Sequence, residues 1–262
     1  NSYFNMANDP VKMAETALGA LMFLRGDVAA AKEMVERRMP HDWVLESLRV
    51  EMPDDRHPFW FPELPGRLAL VHRTGIADFR SDALSPVGPL PLPQGHIVSD
   101  TGELIWVEEG PGRVLVDTPR HQAIVGHAGA WSTRNLAIDL DTPFAAVELA
   151  SLHETPIADA EELLLLTAAR VANTGMEWAD ATRHSLADRW GQAPTRIEPV
   201  RGSLTLRNLR DAMEVLLQPL DGRGQPVGAP LQGRRTQQGF VFNLNEAAPT
   251  LWYRLLVRHE GR

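Results

Sequence analysis

The chain has no cysteine at any of its 262 positions. Disulfide frameworks, thiolate nucleophiles and cysteine-ligated zinc are therefore excluded. Long hydrophobic runs are missing too. No stretch approaches the roughly 18 consecutive apolar residues that a membrane-spanning helix needs, so no membrane partner is expected. The first residues carry neither the charged nor the apolar region of a secretory signal, which leaves secretion open. Positive charge is in short supply: 26 Lys and Arg stand against 34 Asp and Glu, for a formal net charge of -8. The basic residues are scattered and form no patch able to release counterions from a phosphate backbone. Nucleic acid is not an expected partner. What is present is a hydrophobic content of 44%, enough for a substantial core in one large domain or a domain plus a smaller piece.

Asn8-Asp9-Pro10 is a helix start, because a short polar side chain can accept orphan backbone N–H groups and Pro at the first helical position forfeits nothing. Val11, Ala14, Leu18, Leu21 and Met22 follow on one face at helical spacing. Arg25-Gly26 ends that helix, with a cation at its negative pole and a residue tolerant of left-handed geometry. Asp27 predicts a second helix over Val28–Met39, and Pro40 a third over His41–Leu48. From Glu51 to Gln94 prolines punctuate the chain, including Pro86, Pro89, Pro91 and Pro93, and only Arg67–Thr74 reads as a strand.

After Gly95 short period-2 runs alternate with turn residues, the pattern of a β-sandwich or barrel. The clearest are Glu103–Glu109, Arg113–Asp117, Ala123–His127, Asn135–Leu140, Phe144–Leu149, Leu163–Val171, Ser203–Arg207, Met213–Leu220, Gly239–Leu244 and Leu251–Arg258. Asp221-Gly222-Arg223-Gly224 is a turn signal. The expected fold is mainly β. A helical segment covers 1–50, a Pro-rich connector with an edge strand 51–94, and a β-sandwich accessory domain 95–262.

Two groups of residues carry a family resemblance. Phe4-Asn5-Met6-Ala7-Asn8-Asp9-Pro10-Val11-Lys12-Met13-Ala14 and Leu21-Met22-Phe23-Leu24-Arg25-Gly26-Asp27-Val28 resemble the last barrel helix of bacterial clan A glycoside hydrolases and their cellulase-like relatives. Val116–Ala123, Leu166–Met176 and Pro249–Tyr253 resemble the tail that follows the barrel in the same proteins. The resemblance implies that residues 1–50 are the remnant of a (β/α)8 barrel whose two catalytic glutamates lie upstream of Asn1. The chain opens on Asn1, in what reads as the middle of a loop, which fits that expectation. No catalytic residue carries over. The function it implies is a noncatalytic C-terminal module that stabilises the barrel and holds polysaccharide or oligosaccharide. The parent would be secreted or periplasmic.

Residue by residue, catalytic signals are weak. Glycoside hydrolysis needs two carboxyls about 5–10 Å apart across one bond, and the adjacent pairs Glu108-Glu109 and Glu161-Glu162 point to opposite faces of a strand. Asp117, Arg120, His121 and His127 form the densest polar group. An independent hydrolase would use Asp117 and His121, but no Gly-x-Ser-x-Gly elbow supplies a nucleophile, and pairing of Asp117 with Arg120 across a turn is the simpler expectation. A purely structural interaction module is the other alternative. His121 and His127 lack the further ligands that zinc wants, and no metal or cofactor is expected. Trp131, Trp178 and Trp190 sit among polar loop residues, where an indole face can stack on a sugar ring, and are the candidate carbohydrate contacts. Trp106 and Trp252 read as core. A helix face at residues 11–22 severed from its barrel predicts self-association through that face.

Overall fold

The structure, a computed structural model, describes residues 9–47, 66–82 and 94–261. The protein is mainly β, a sandwich of antiparallel strands with an N-terminal helix. It divides into two compact units, one of residues 29–110 and one that joins residues 1–28 to 111–262. The proline-rich stretches at 48–65 and 83–93, and the resembling residues Phe4–Asn8, lie outside the described residues.

In the 29–110 unit, strands β1 (Met34–Arg38) and β2 (Arg73–Asp78) pair in parallel. Helix α2 (His41–Ser47) follows β1, and β3 (His96–Val98) and β4 (Leu104–Val107) form a hairpin. The helix expected over Val28–Met39 is absent. The N–H of Ala29 is taken by the Glu103 carboxylate at 2.7 Å, and those of Lys32 and Glu33 by the two Asp100 oxygens at 2.9 Å each. The Lys32 and Glu33 donors are then lost to an i to i−4 ladder, whereas the Ala29 N–H would have been unpartnered in a first turn in any case, and tertiary acceptors override a modest local propensity. The Glu33 amide is also the main reason the Asp100 carboxyl sits at about 2, with His72 and the Lys32 amide adding to it. Within the expected strand Arg67–Thr74, residues 66–70 form a 3-10 turn and extended structure begins only at Arg73. Trp106 lies in β4 but is 42% exposed, so it is not a core residue.

In the other unit helix α1 (Pro10–Arg25) begins where the Asp9 carboxylate accepts from Lys12 N at 3.0 Å, and ends at Gly26, whose φ is 62°. The strands are β5 (Arg113–Asp117), β6 (His121–Ser132), β7 (Leu136–Ser151), β8 (Glu162–Ala168), β9 (Val171–Thr174), β10 (Gln192–Ile197), β11 (Gly202–Leu206), β12 (Ala212–Leu220), β13 (Leu231–Gln232), β14 (Arg234–Thr236), β15 (Gly239–Asn243) and β16 (Trp252–His259). One layer runs β13-β12-β16-β8-β7-β6-β5; a second is formed by the C-terminal part of β6, the N-terminal part of β7, β11, β15 and β14.

The two layers are one sheet folded over itself. Leu136, Ile138 and Leu140 of β7 point into the core, and so do Ala145, Val147 and Leu149, so the inward parity switches across Asp141–Phe144. β6 makes the matching shift at a bulge between His127 and Gly129. A strand that changes sheets needs such an irregularity, because side chains otherwise keep alternating faces. The corner is pinned by Thr142, buried, whose hydroxyl accepts from Arg201 N at 2.8 Å. The two separate strands expected at Asn135–Leu140 and Phe144–Leu149 are therefore one bent strand. Between the layers lie Ile124, Val147, Leu163, Leu165, Leu217, Leu255 and Phe242, all buried.

Helix α1 packs on the outer face of the first layer. Strand parity presents Ala146, Glu148 and Ala150 of β7, and Leu164, Leu166 and Ala168 of β8, toward it. The alanines leave the room that Leu18 and Ala14 fill, at 2% and 5% exposed, with Val11, Leu21 and Trp252 at the margin. Burying Leu18 alone is worth about 2 kcal/mol. The apolar face on which self-association was expected has its partner within the chain. Trp252 meets this second cluster, not the centre of the sandwich.

Candidate functional site

The register of β5 with β6 places Asp117 opposite Gln122, which puts its side chain on the face away from His121. The two are not brought together, and the geometry of an Asp117/His121 hydrolase does not form. Asp117 Oδ2 accepts from Arg134 N at 3.2 Å. Arg120, expected to pair with Asp117, instead reaches the buried Asp27 with its Nε 2.8 Å from Oδ1, and ion-pairs with Glu154. Arg25 grips the same Asp27 through Nε at 2.9 Å and Ser151 O through Nη1 at 2.6 Å. The network fastens the end of α1 to the β5–β6 turn, a structural role.

His121 is buried under the helix-facing side of the sheet with Nε2 3.2 Å from Glu148 Oε2. Glu15 of α1 is pushed up from its ordinary value, by burial first and by the Glu148 and Asp9 charges after it. His127 is elsewhere, edge-on to Phe144 at 5.1 Å. Glu108 is paired with Arg67 and Glu162 with Arg254, at 2.8 and 3.1 Å, so the acidic pairs are solvated or salt-bridged charge. Among the described residues no group of three His, Asp or Glu is placed to hold a metal ion, and no helix is long and apolar enough to cross a membrane.

The tryptophans separate into two environments. Trp131 is not in a loop: it belongs to β6, on the inward side opposite Ile138. The Arg113 guanidinium lies 3.8 Å from its ring centroid, and its indole N–H donates to His127 O at 3.0 Å. It borders a cavity of about 570 Å³ with Ser132, Asp139, Ser203, Thr205 and Arg207. With one face stacked and its N–H used, Trp131 mainly caps the sandwich edge.

Trp178 and Trp190 belong to a ribbon made by β9 and β10, a two-stranded sheet of its own. Neither strand is predicted by alternation, since Gln192–Ile197 is polar and contains Pro194. The connecting loop is held by Glu177 N to Arg189 O at 3.1 Å, Ala179 N to Ser185 O at 2.8 Å, and Asn173 Nδ2 to Trp190 O at 3.0 Å. Gly191, at φ 69°, lets the returning chain touch Thr174, because a Cβ there would lie 2.5 Å from Thr174 O. On this frame Trp178 is 42% and Trp190 53% exposed. Trp178 borders a cleft of about 470 Å³ with Met176, Arg170, Arg183, Arg196 and Glu198. Arg170 and Glu198 form a two-point ion pair at 2.8 and 2.9 Å, which holds the Glu198 carboxyl below its ordinary value. Arg183 and Arg196 escape a reading of the sequence because nothing in their local context marks them; only the ribbon brings them beside Trp178.

A larger cavity of about 620 Å³ lies beside the start of α1, lined by Pro10, Met13, Ala17, Ile197 and Trp252. Its polar groups are already committed, Glu198 to Arg170 and the Thr250 hydroxyl to Leu220 O. Compared with known protein families, with curated proteins and with solved structures, the chain matches none.

Proposed function

We propose that this chain is a noncatalytic accessory module of a glycoside-hydrolase-like protein, which supports a catalytic barrel and holds polysaccharide through the β9–β10 ribbon. The link to the barrel rests on the sequence resemblance. The observation that carries the binding role is the pair of half-exposed indoles, Trp178 and Trp190, on a loop fixed by its own hydrogen bonds. A sandwich whose core is filled gains little from large aromatic rings held out in water, whereas a sugar ring gains a stacking platform.

Stacking on one ring contributes on the order of 1 kcal/mol, so affinity for short oligosaccharides should be near millimolar and should rise on polymers through repeated contacts. Retardation in native gels cast with soluble polysaccharides tests the reading. The wild-type chain should be retarded by at least one glycan, and Trp178→Ala plus Trp190→Ala should abolish the shift. Equal retardation of wild type and double variant would reject the ribbon as the site.

A further inference from the structure

The cleft beside Trp178 has a charge character opposite to that of the chain. Its ionisable lining is Arg170, Arg183, Arg196 and Glu198, and Glu198 is consumed by Arg170. The remaining two guanidiniums make no ion pair with any described acidic residue. Glu177, Asp180 and Asp188 belong to the same loop but do not line the cleft. Asp180 is engaged locally, with Thr182 N donating to Oδ1 at 2.8 Å and Arg183 N donating to Asp180 O at 3.3 Å. Those contacts hold Arg183 at φ 58°, a left-handed conformation that side-chain-bearing residues seldom adopt.

We propose that this cleft takes a carboxylated saccharide, a uronate unit of an acidic polysaccharide, with Trp178 under the sugar ring and Arg183 and Arg196 on the carboxylate. The assignment rests on the glycan-binding reading above and narrows it to a substrate class. A guanidinium presents parallel N–H donors that match the two oxygens of a carboxylate, so free arginines beside an indole select a ring that carries an acid. A neutral sugar would leave both cations unmatched. The net charge of -8 repels a polyanion at long range, so attraction must come from contacts within the cleft.

The test uses the full chain and a panel of polygalacturonate, alginate and glucuronoxylan. Each is paired with its carboxyl-reduced form, in which CH2OH replaces the carboxylate, and polyglutamate supplies carboxylates without sugar rings. Isothermal titration and gel retardation should show at least one uronate polymer bound about tenfold more tightly than its reduced form, the gain expected of two surface charge contacts. Arg183→Gln plus Arg196→Gln should remove that tenfold preference and leave binding to the reduced form in place, whereas Trp178→Ala should weaken both. Both arginines are exposed, so an unchanged melting temperature is the check that the variant is folded.

Equal affinity for a polymer and its reduced form across the panel would overturn the uronate assignment while leaving a neutral-glycan module standing. Uronate preference that survives the double arginine variant would place the carboxylate elsewhere. Polyglutamate bound as tightly as the uronate polymers would reduce the effect to charge alone. No binding to any polymer, reduced or not, would sink the glycan-binding role along with the assignment.

Discussion

The helix-covered face of the sandwich and the β9–β10 ribbon both bring aromatic and ionisable groups together, and they treat them in opposite ways. Under α1 the sheet is pared down to Ala146, Ala150 and Ala168 so that Leu18 and Ala14 fit, and the aromatic ring at its border, Trp252, packs against apolar neighbours. On the ribbon the strands bury little, Trp178 and Trp190 face water, and Trp178 does so beside arginines. Small residues at a contact mark a surface shaped by packing; large rings left exposed on a fixed frame mark one shaped for something else. If the contrast is sound, substitutions in the first region should move stability and those in the second only binding.

The largest effect is expected in the core between the layers of the sandwich. Leu165→Ala, at a fully buried position, should cost about 2–5 kcal/mol in urea unfolding. A loss below about 1 kcal/mol would mean that the layers are not close-packed there. Beneath the helix, Ala150→Leu should cost about 1–3 kcal/mol by overpacking, and hydrogen exchange should show α1 losing protection before the strands do. Protection unchanged in α1 would break the argument that the alanines exist to seat it.

Glu15 sharpens the comparison, because it is a charge the packed face tolerates at a cost. Its carboxyl is raised from 4.5, so the ionised form is disfavoured in the fold, and the penalty is present above the raised value and gone at and below 4.5. Glu15→Gln should therefore stabilise the protein near neutral pH by roughly 0.5 kcal/mol, allowing for partial exposure of the group, and the gain should vanish toward pH 4. A gain that grows as pH falls would contradict the sign. The smallest effect is the ribbon's: Trp178→Ala plus Trp190→Ala should change unfolding free energy by no more than about 0.5 kcal/mol. A cost of about 3 kcal/mol would move those rings from the binding surface to the core.

Much of the fold is legible in the sequence wherever one local rule decides. The cap at Asp9, Pro10 and Gly26 delimits α1, and alternation finds β5, β11, β12, β15 and β16 to within a residue or two. The rules fail where distant groups choose. At residues 32–33 the Asp100 carboxylate claims the amides that a helix would have used. At 141–144 Pro143 and a parity change look like a break but form a corner of a continuous strand. The site follows the same division. Trp178 and Trp190 stand out by their polar neighbours, whereas Trp131 looks alike in sequence and proves to be stacked under Arg113. Arg183 and Arg196 come to line one cleft through a loop that closes by backbone hydrogen bonds, which no pattern of residue types announces.

The position of α1 also sets a timetable. During synthesis the helix leaves the ribosome before all the strands it docks on, and the last of them, the one that begins at Trp252, follows on the order of 230 residues later. At roughly 5–20 residues per second that interval is about 10–45 s. Until then a half-apolar helix that is marginal alone lacks the completed sheet face on which it docks. A chain made this way depends on whatever shelters Leu18 and its neighbours while the sheet is still being written.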